Sequence, residues 1–244
     1  MRFSVLLALA LTFTAAATRP SLAIVGGDNA GADLRPHVVM LSSDRGSFCS
    51  ATVIAADLLL TAGHCVGKGA NYRLLIFSGG KPVLTELGGF AIHPGYSAEA
   101  YSKRKLIIDL ALVRLKAPLS GYAALPLAAE AGVSGQAYRI AGFGLSARGA
   151  GPTGGVLREA TLVGVEPVSK IQLRLKSANG SAAGSCQGDS GGPVLRDGAL
   201  VGILASAVGQ GQKLGCGGAT GVALIGTALP WIRQTAAALG ARLP

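Results

Sequence analysis

Acidic residues are scarce in this 244-residue chain, in which 12 Asp and Glu stand against 22 Lys and Arg for a formal net charge of +10. A calcium cage needs several carboxylates on one short loop, and the stretch from Ser78 to Glu86 carries a single acid. Histidine is rarer still, with only His37, His64 and His93, and the 4 cysteines include no Cys-x2-Cys unit, so no zinc framework is written here. Aromatics are 5% of the residues. They do not interleave with the basic cluster Lys103-Arg104-Lys105 or with Arg114, Lys116, Arg174 and Lys176. That pattern reads as a solvated basic face with weak, nonspecific attraction for polyanions, and no specific nucleic-acid partner is expected. Beyond the first 23 residues no apolar run exceeds strand length, Ala199 to Val208 being the longest clear case, which leaves no segment to anchor the chain in a membrane.

What is abundant is punctuation. With 37 Gly and 11 Pro, short Val/Ile/Leu-rich runs at Tyr72–Phe77, Leu110–Leu115, Val156–Val165 and Leu200–Ala207 are cut apart by glycine clusters, the mark of an all-β barrel or sandwich. The length suits one large core or two small ones. Glycine-rich stretches at Gly144–Gly155 and Gly209–Gly221 read as surface loops. At the N-terminus, Arg2, the apolar stretch Val5 to Ala17 and the small residues of Ser21-Leu22-Ala23 form an export signal over residues 1–23, too short to span a bilayer. Export implies a secreted or periplasmic chain, and an even number of cysteines in an oxidising compartment implies two disulfides whose pairing the count leaves open. At the other end Pro230, Ile232, Thr235, Ala236, Leu239 and Gly240 have the spacing and stop signal of a helix over 230–240.

Three separated motifs carry chemistry. Gly188-Asp189-Ser190-Gly191-Gly192-Pro193 offers a serine, Thr61-Ala62-Gly63-His64-Cys65 an imidazole, and Asp109-Leu110-Ala111-Leu112-Val113 a carboxylate at the head of an apolar strand. A serine hydroxyl is a weak nucleophile at neutral pH until an imidazole takes its proton, and that imidazole needs a carboxylate to fix its tautomer. A carboxylate entering an apolar strand in turn needs a partner, for which His64 is the natural choice. A Gly-x-Ser-x-Gly motif also describes the nucleophile elbow of α/β-hydrolases, but there the histidine follows the serine. Here all three histidines precede Ser190. His37 and His93 lack any comparable context and read as packing or surface residues.

The order His64, Asp109, Ser190 and its local wording resemble the chymotrypsin/trypsin family of serine proteases. The likeness extends to Ile24-Val25-Gly26-Gly27 as the family's mature N-terminus, to Ala91-Ile92-His93-Pro94-Gly95-Tyr96, to Ala141-Gly142-Phe143-Gly144 with Phe in place of Trp, and to Pro230-Trp231-Ile232. It covers Ile24 to Leu239. The resemblance implies two six-stranded antiparallel Greek-key β-barrels, one over 24–122 and one over 123–229, followed by the C-terminal helix, with His64 and Asp109 on the first barrel and Ser190 on the second. It implies a serine endopeptidase working through an acyl-enzyme without metal or organic cofactor, its partners a protein or peptide substrate and a proteinaceous inhibitor. A different class, a catalytically silent binding protein on the same fold, is opposed by the complete triad and oxyanion motif.

The resemblance also assigns supporting roles. Gly188 and Ser190 would donate backbone N–H groups to the oxyanion, and Asp189 would accept the ammonium of a freed Ile24. A cut after Ala23 exposes Ile24 directly, whereas a cut near Ala17 leaves Thr18–Ala23 as a propeptide to be trimmed. Disulfides would join Cys49 to Cys65 and Cys186 to Cys216, closing loops worth about 3 to 4 kcal/mol each on the chain-entropy account. Gly184 falls at the pocket floor, with Ala207 and Gly221 as walls, so an uncharged P1 side chain is expected. Departures from the family concern subsites: two second-barrel disulfides are missing, the region Ser169–Gly184 is short, and Ala205-Ser206-Ala207 replaces Ser-Trp-Gly.

Overall fold

Along Gln172–Lys176, Leu173 and Leu175 point inward while Arg174 and Lys176 are exposed, the period-two signature of a strand with one face on a core. Leu58–Thr61 and most of Phe48–Ala55 are instead buried on both faces, as strands enclosed between a barrel interior and a neighbouring layer must be. The computed structural model describes residues 24–78, 81–146, 153–208 and 215–244. Residues 1–23, read above as an export signal, and the centres of both glycine-rich loops lie outside the described residues.

A two-residue strand β1 (Asp28–Asn29) precedes a closed antiparallel barrel of β2 (Val38–Ser43), β3 (Phe48–Ala55), β4 (Leu58–Thr61), β5 (Tyr72–Ser78), β6 (Lys81–Ile92) and β7 (Ala111–Leu115), with a short helix α1 (Ala98–Ser102) between β6 and β7. The second unit comprises β8 (Ala137–Gly142), β9 (Arg158–Val165), β10 (Gln172–Lys176), β11 (Pro193–Arg196), β12 (Ala199–Val208) and β13 (Ala219–Leu224), and pairing of β8 with β9 closes it into a six-stranded ring. Helix α2 (Leu229–Ala238) ends the fold, with Pro230 in its first turn and Gly240 at φ 74° just beyond its end. The segments marked out by the sequence, Tyr72–Phe77, Leu110–Leu115, Val156–Val165, Leu200–Ala207 and the helix over 230–240, fall within two residues of β5, β7, β9, β12 and α2. The exception is Ala219–Gly221, which the glycine content assigns to a loop but which alternates burial and pairs with β12 and β10. No helix among the described residues is long and apolar enough to cross a membrane.

Packing ties the two barrels into one body. Ile24 is fully buried in the second core with Tyr138, Leu162 and Val194, and β1 pairs with β9, so the start of the chain is built into the second barrel. The end of the chain crosses the other way: Trp231 packs its indole edge on His93, centroids 4.7 Å apart, and Arg114 Nε donates to Leu239 O on the first-barrel side. The larger apolar cluster is continuous from Leu41, Val53 and Leu112 of the first barrel to Leu200, Ile203 and Ile232. Both expected disulfides are present, Cys49–Cys65 and Cys186–Cys216.

Candidate active site

The loop carrying Ser190 is fastened to the first barrel by buried hydroxyls of β3. Ser50 Oγ donates to Gly188 O at 2.9 Å and Thr52 Oγ1 to Gly191 O at 3.0 Å, while the Ser50 N–H donates to Ser190 O at 2.8 Å. Thr61 Oγ1 from β4 donates to Ser50 O at 2.9 Å, and Ser50 Oγ in turn accepts the Phe143 N–H at 2.9 Å. Each such bond is made in a dry environment where losing one partner leaves the other unpaid, a cost of about 1 to 3 kcal/mol. Contact is so close that a Cβ on Gly191, at φ 85°, would lie 2.1 Å from both Ser50 O and Thr61 Oγ1. Only glycine fits there.

His64 lies in a single helical turn immediately after β4, and Asp109 two residues before β7, which pairs with β4. Adjacent strands therefore deliver the two side chains to one edge of the barrel. His64 Nδ1 lies 2.7 Å from Asp109 Oδ2, and the His64 backbone N–H donates to Oδ1 at 3.0 Å. The carboxylate is nearly buried and both its oxygens are used. The other ring nitrogen, Nε2, faces the Cys65 sulfur at 3.8 Å, and the same sulfur lies 3.8 Å from Ser190 O. Ser190 is thus brought to the His64–Asp109 pair, but no hydrogen bond joins its hydroxyl to the imidazole among the described residues. In unliganded active sites such bonds are commonly long and tighten with substrate. His37 and His93 lie elsewhere, His37 Nδ1 meeting Ala123 O and His93 Nδ1 accepting the Gly95 N–H.

Neither the Gly188 nor the Ser190 N–H has an acceptor among the described residues. Gly188 has φ 96°, and a Cβ there would strike the Phe48 ring at 2.1 Å. Asp189 points the other way and is completely buried, its Oδ1 accepting the Gly144 N–H and its Oδ2 the Cys186 N–H, each at 2.8 Å. Burial pushes this carboxyl up to about 7 in spite of those two donors. No contact joins it to Ile24. The nearest cation is Arg158, which pairs in register with Gly142, the residue whose missing Cβ would touch Asp189 Oδ1. Arg158 is itself buried, and its Nε and Nη1 have no hydrogen-bond partner among the described residues.

The expected pocket residues are close together but not all on one surface. Gly184 is buried beneath Thr220, whose Oγ1 accepts the Ser185 N–H at 2.8 Å, and Ser206 pairs with Gly221, Ala207 with Thr220. Ala207 and Gly221 line a cavity of about 480 Å³ that runs away from the Asp109 edge. The one described group of metal-ligating side chains, Cys49, His64 and Cys65, has both sulfurs in a disulfide and so offers no thiolate.

Tyr101, from α1, escaped the sequence reading. Its ring stacks on His64 with centroids 4.6 Å apart and planes 19° from parallel, and its hydroxyl donates to Ala205 O at 3.3 Å. Burial, with the Asp109 charge nearby, pushes the phenol up to about 12. Ser50, Thr52, Thr61, Phe48 and Arg158 were also missed, since polar or aromatic residues inside strands carry no sequence signal of the loop they will touch.

Comparison with known proteins agrees with this geometry. The family model described as Trypsin matches residues 24–232. Human kallikrein-12 is 31% identical over 225 residues, covering 84% of this chain and 86% of its own length. Trypsin alpha of Drosophila erecta is 27% identical over 202 residues, 74% of this chain and 76% of its own. With a family match over nearly the whole described chain, and two barrels of which the first carries a paired histidine and aspartate, the chain belongs to the trypsin family of serine proteases.

Proposed function

We propose that the protein is an exported serine endopeptidase, secreted or periplasmic, that cleaves peptide bonds after uncharged apolar residues. The observation that carries the reading is the His64–Asp109 pair at 2.7 Å beside a serine whose own N–H, with that of Gly188, is left without an acceptor. Ser190 Oγ attacks the scissile carbonyl as His64 Nε2 takes its proton. Asp109 holds the imidazole through Nδ1 and stabilises the imidazolium that results. Charge developing on the carbonyl oxygen falls to the Gly188 and Ser190 amides, groups worth roughly 3 to 4 kcal/mol per donor in related sites because they are fixed before the reaction begins. The imidazolium then gives its proton to the leaving amine, and water repeats the sequence on the acyl-enzyme.

Release of Ile24 by cleavage after Ala23 supplies the ammonium that Asp189 lacks. Burying that carboxylate without a counter-charge is costly, and pairing it would order the loop bearing Gly188 and Ser190. The test is labelling of the mature protein with a serine-directed fluorophosphonate followed by mass spectrometry. A label on Ser190 is expected, and an unlabelled Ser190 in folded protein with a free Ile24 would favour a silent binding protein on this fold.

A further inference from the structure

The cavity that runs from the Asp109 edge between α1 and the second barrel is lined by three cations, Arg104, Lys105 and Arg174, and by one acid, Asp109, which is already bound to His64. None of the three cations has an ion-pair or side-chain hydrogen-bond partner among the described residues. The nearby acids are occupied elsewhere and do not line the space: Glu99 pairs with Lys103, and Glu166 accepts the Val168 N–H at 2.9 Å. The cations come from two separate elements. Arg104 follows α1 in a left-handed conformation at φ 53°, and Arg174 projects outward from β10 by strand alternation, directly opposite Gly221 on β13. The place a Gly221 side chain would take is filled by the small Ser206 hydroxyl from β12, which completes the row.

We propose that this cavity is a substrate subsite for acidic side chains, taking Asp or Glu two to four residues before the scissile bond. The inference rests on the protease reading above and names the substrate class for the same cleft. Its position is taken from shared walls: Ala207 and Gly221, the expected P1 walls, also line the cavity, which places it beside the P1 side chain. An extended peptide advances about 3.3 Å per residue, while strands lie about 4.8 Å apart. The Arg174 backbone, two strands from Ser206, is thus about 10 Å away, a distance an extended peptide spans in about three residues. The floor contributed by Leu106, Ile107, Leu173 and Val222 reduces screening of a carboxylate held against the cations. A Lys or Arg side chain would meet three like charges and no acid free to receive it.

The test uses mature protein and peptides that share one apolar P1 residue and differ by Glu, Gln or Lys at P2, P3 or P4, assayed at low and at high salt. Glu at one of these positions should raise kcat/KM roughly tenfold over Lys, with Gln between, and salt should compress the range. Within the triple variant Arg104→Ala, Lys105→Ala, Arg174→Ala the ratio of kcat/KM for Glu over Lys should fall toward one, whatever its rate on the Gln peptides. Brisk cleavage with no difference between Glu and Lys at any of the three positions overturns this inference alone. Failure to cleave any peptide, together with an unlabelled Ser190, overturns the protease reading and this inference with it.

Discussion

The Tyr101 ring stacks on the His64 imidazole, 4.6 Å between centroids and 19° from parallel. A stacked aromatic restricts imidazole rotation, and Tyr101 is in turn held by its hydroxyl bond to Ala205 on the second barrel. With its ionisation near 12, the phenol keeps that hydrogen throughout any working pH. Tyr101→Ala should lower kcat by roughly tenfold with a smaller change in KM, since what is lost is orientation of the base. Tyr101→Phe should retain most of kcat. Steady-state kinetics of both variants on one peptide decides the point, and a rise in kcat/KM for Tyr101→Ala would show that the ring obstructs substrate instead of steadying His64.

Both oxygens of Asp109 accept N–H groups of His64, one from the ring and one from the backbone. An Asn at this position can accept only through one oxygen and must point its own N–H₂ at the other donor. The imidazole then takes the tautomer with hydrogen on Nε2, which cannot accept the serine proton. Asp109→Asn should cost about 10⁴ in kcat, and Ser190→Ala or His64→Ala about 10⁶, all with the fold intact. Near-normal amidase activity in any of the three purified variants would sink the assignment.

If Asp189 receives the Ile24 ammonium as proposed, its buried carboxyl should make stability depend on both pH and cleavage. Its ionisation in the folded, uncleaved chain lies near 7, above the ordinary 3.8 of an aspartate. A group raised in this way binds its proton more tightly folded than unfolded, so its contribution to stability is complete below pH 4 and disappears as pH rises through 7. A chain carrying residues before Ile24 should therefore lose roughly 5–10 °C in Tm between pH 4 and pH 8. A chain beginning at Ile24, with an ammonium available to the carboxylate, should lose much less. Differential scanning calorimetry on the two forms measures the difference, and equal pH dependence would remove Asp189 from the activation step.

How much of this could be read from the chain depends on whether the relevant contact is local. His64, Asp109 and Ser190 each sit in a distinctive short motif, and apolar runs such as Leu110–Leu115 and Leu200–Ala207 are set off by glycine clusters, so the fold class and the candidate reacting groups were legible. Helix α1 was not. It is one turn long, capped only by Ser97 Oγ accepting the Ala100 N–H, and too short for any apolar period to register. Tyr101 on that turn meets His64 across 37 residues of sequence, and Ser50 meets Gly188 across 138. Nothing near Ser50 or Thr52 in the chain distinguishes them from ordinary strand hydroxyls. Only closure of the two barrels against each other gives them a partner. Arg158 is hidden for the same reason, because its neighbour Gly142 is adjacent only through strand pairing.

Specificity at P1 is the most direct consequence of what the pocket lacks. Gly184, the expected floor, is buried against Thr220 and Gly217, and no carboxylate is among its nearest atoms in the described residues. Asp197, an acid within reach along the sequence, stands at the opposite end of the second barrel in the turn between β11 and β12, with a side chain 92% exposed beside Arg196. A Lys or Arg entering this pocket would shed water without gaining a charge partner, a penalty of several kcal/mol that an aliphatic side chain does not incur. Burial instead rewards apolar groups at about 25 cal/mol per Å². The Ala207 methyl at the expected wall favours medium aliphatic residues over large aromatics. Peptide-library profiling should show kcat/KM after Val or Leu exceeding that after Arg or Lys by roughly 100-fold. Gly184→Asp places its Cβ 3.1 Å from Thr220 Oγ1, a contact tight enough to cost overall rate, yet it should shift the preference toward Lys and Arg. Dominant cleavage after Arg or Lys by the unaltered protein would mean that some acid outside Gly184 reaches the pocket, and that the floor lies elsewhere.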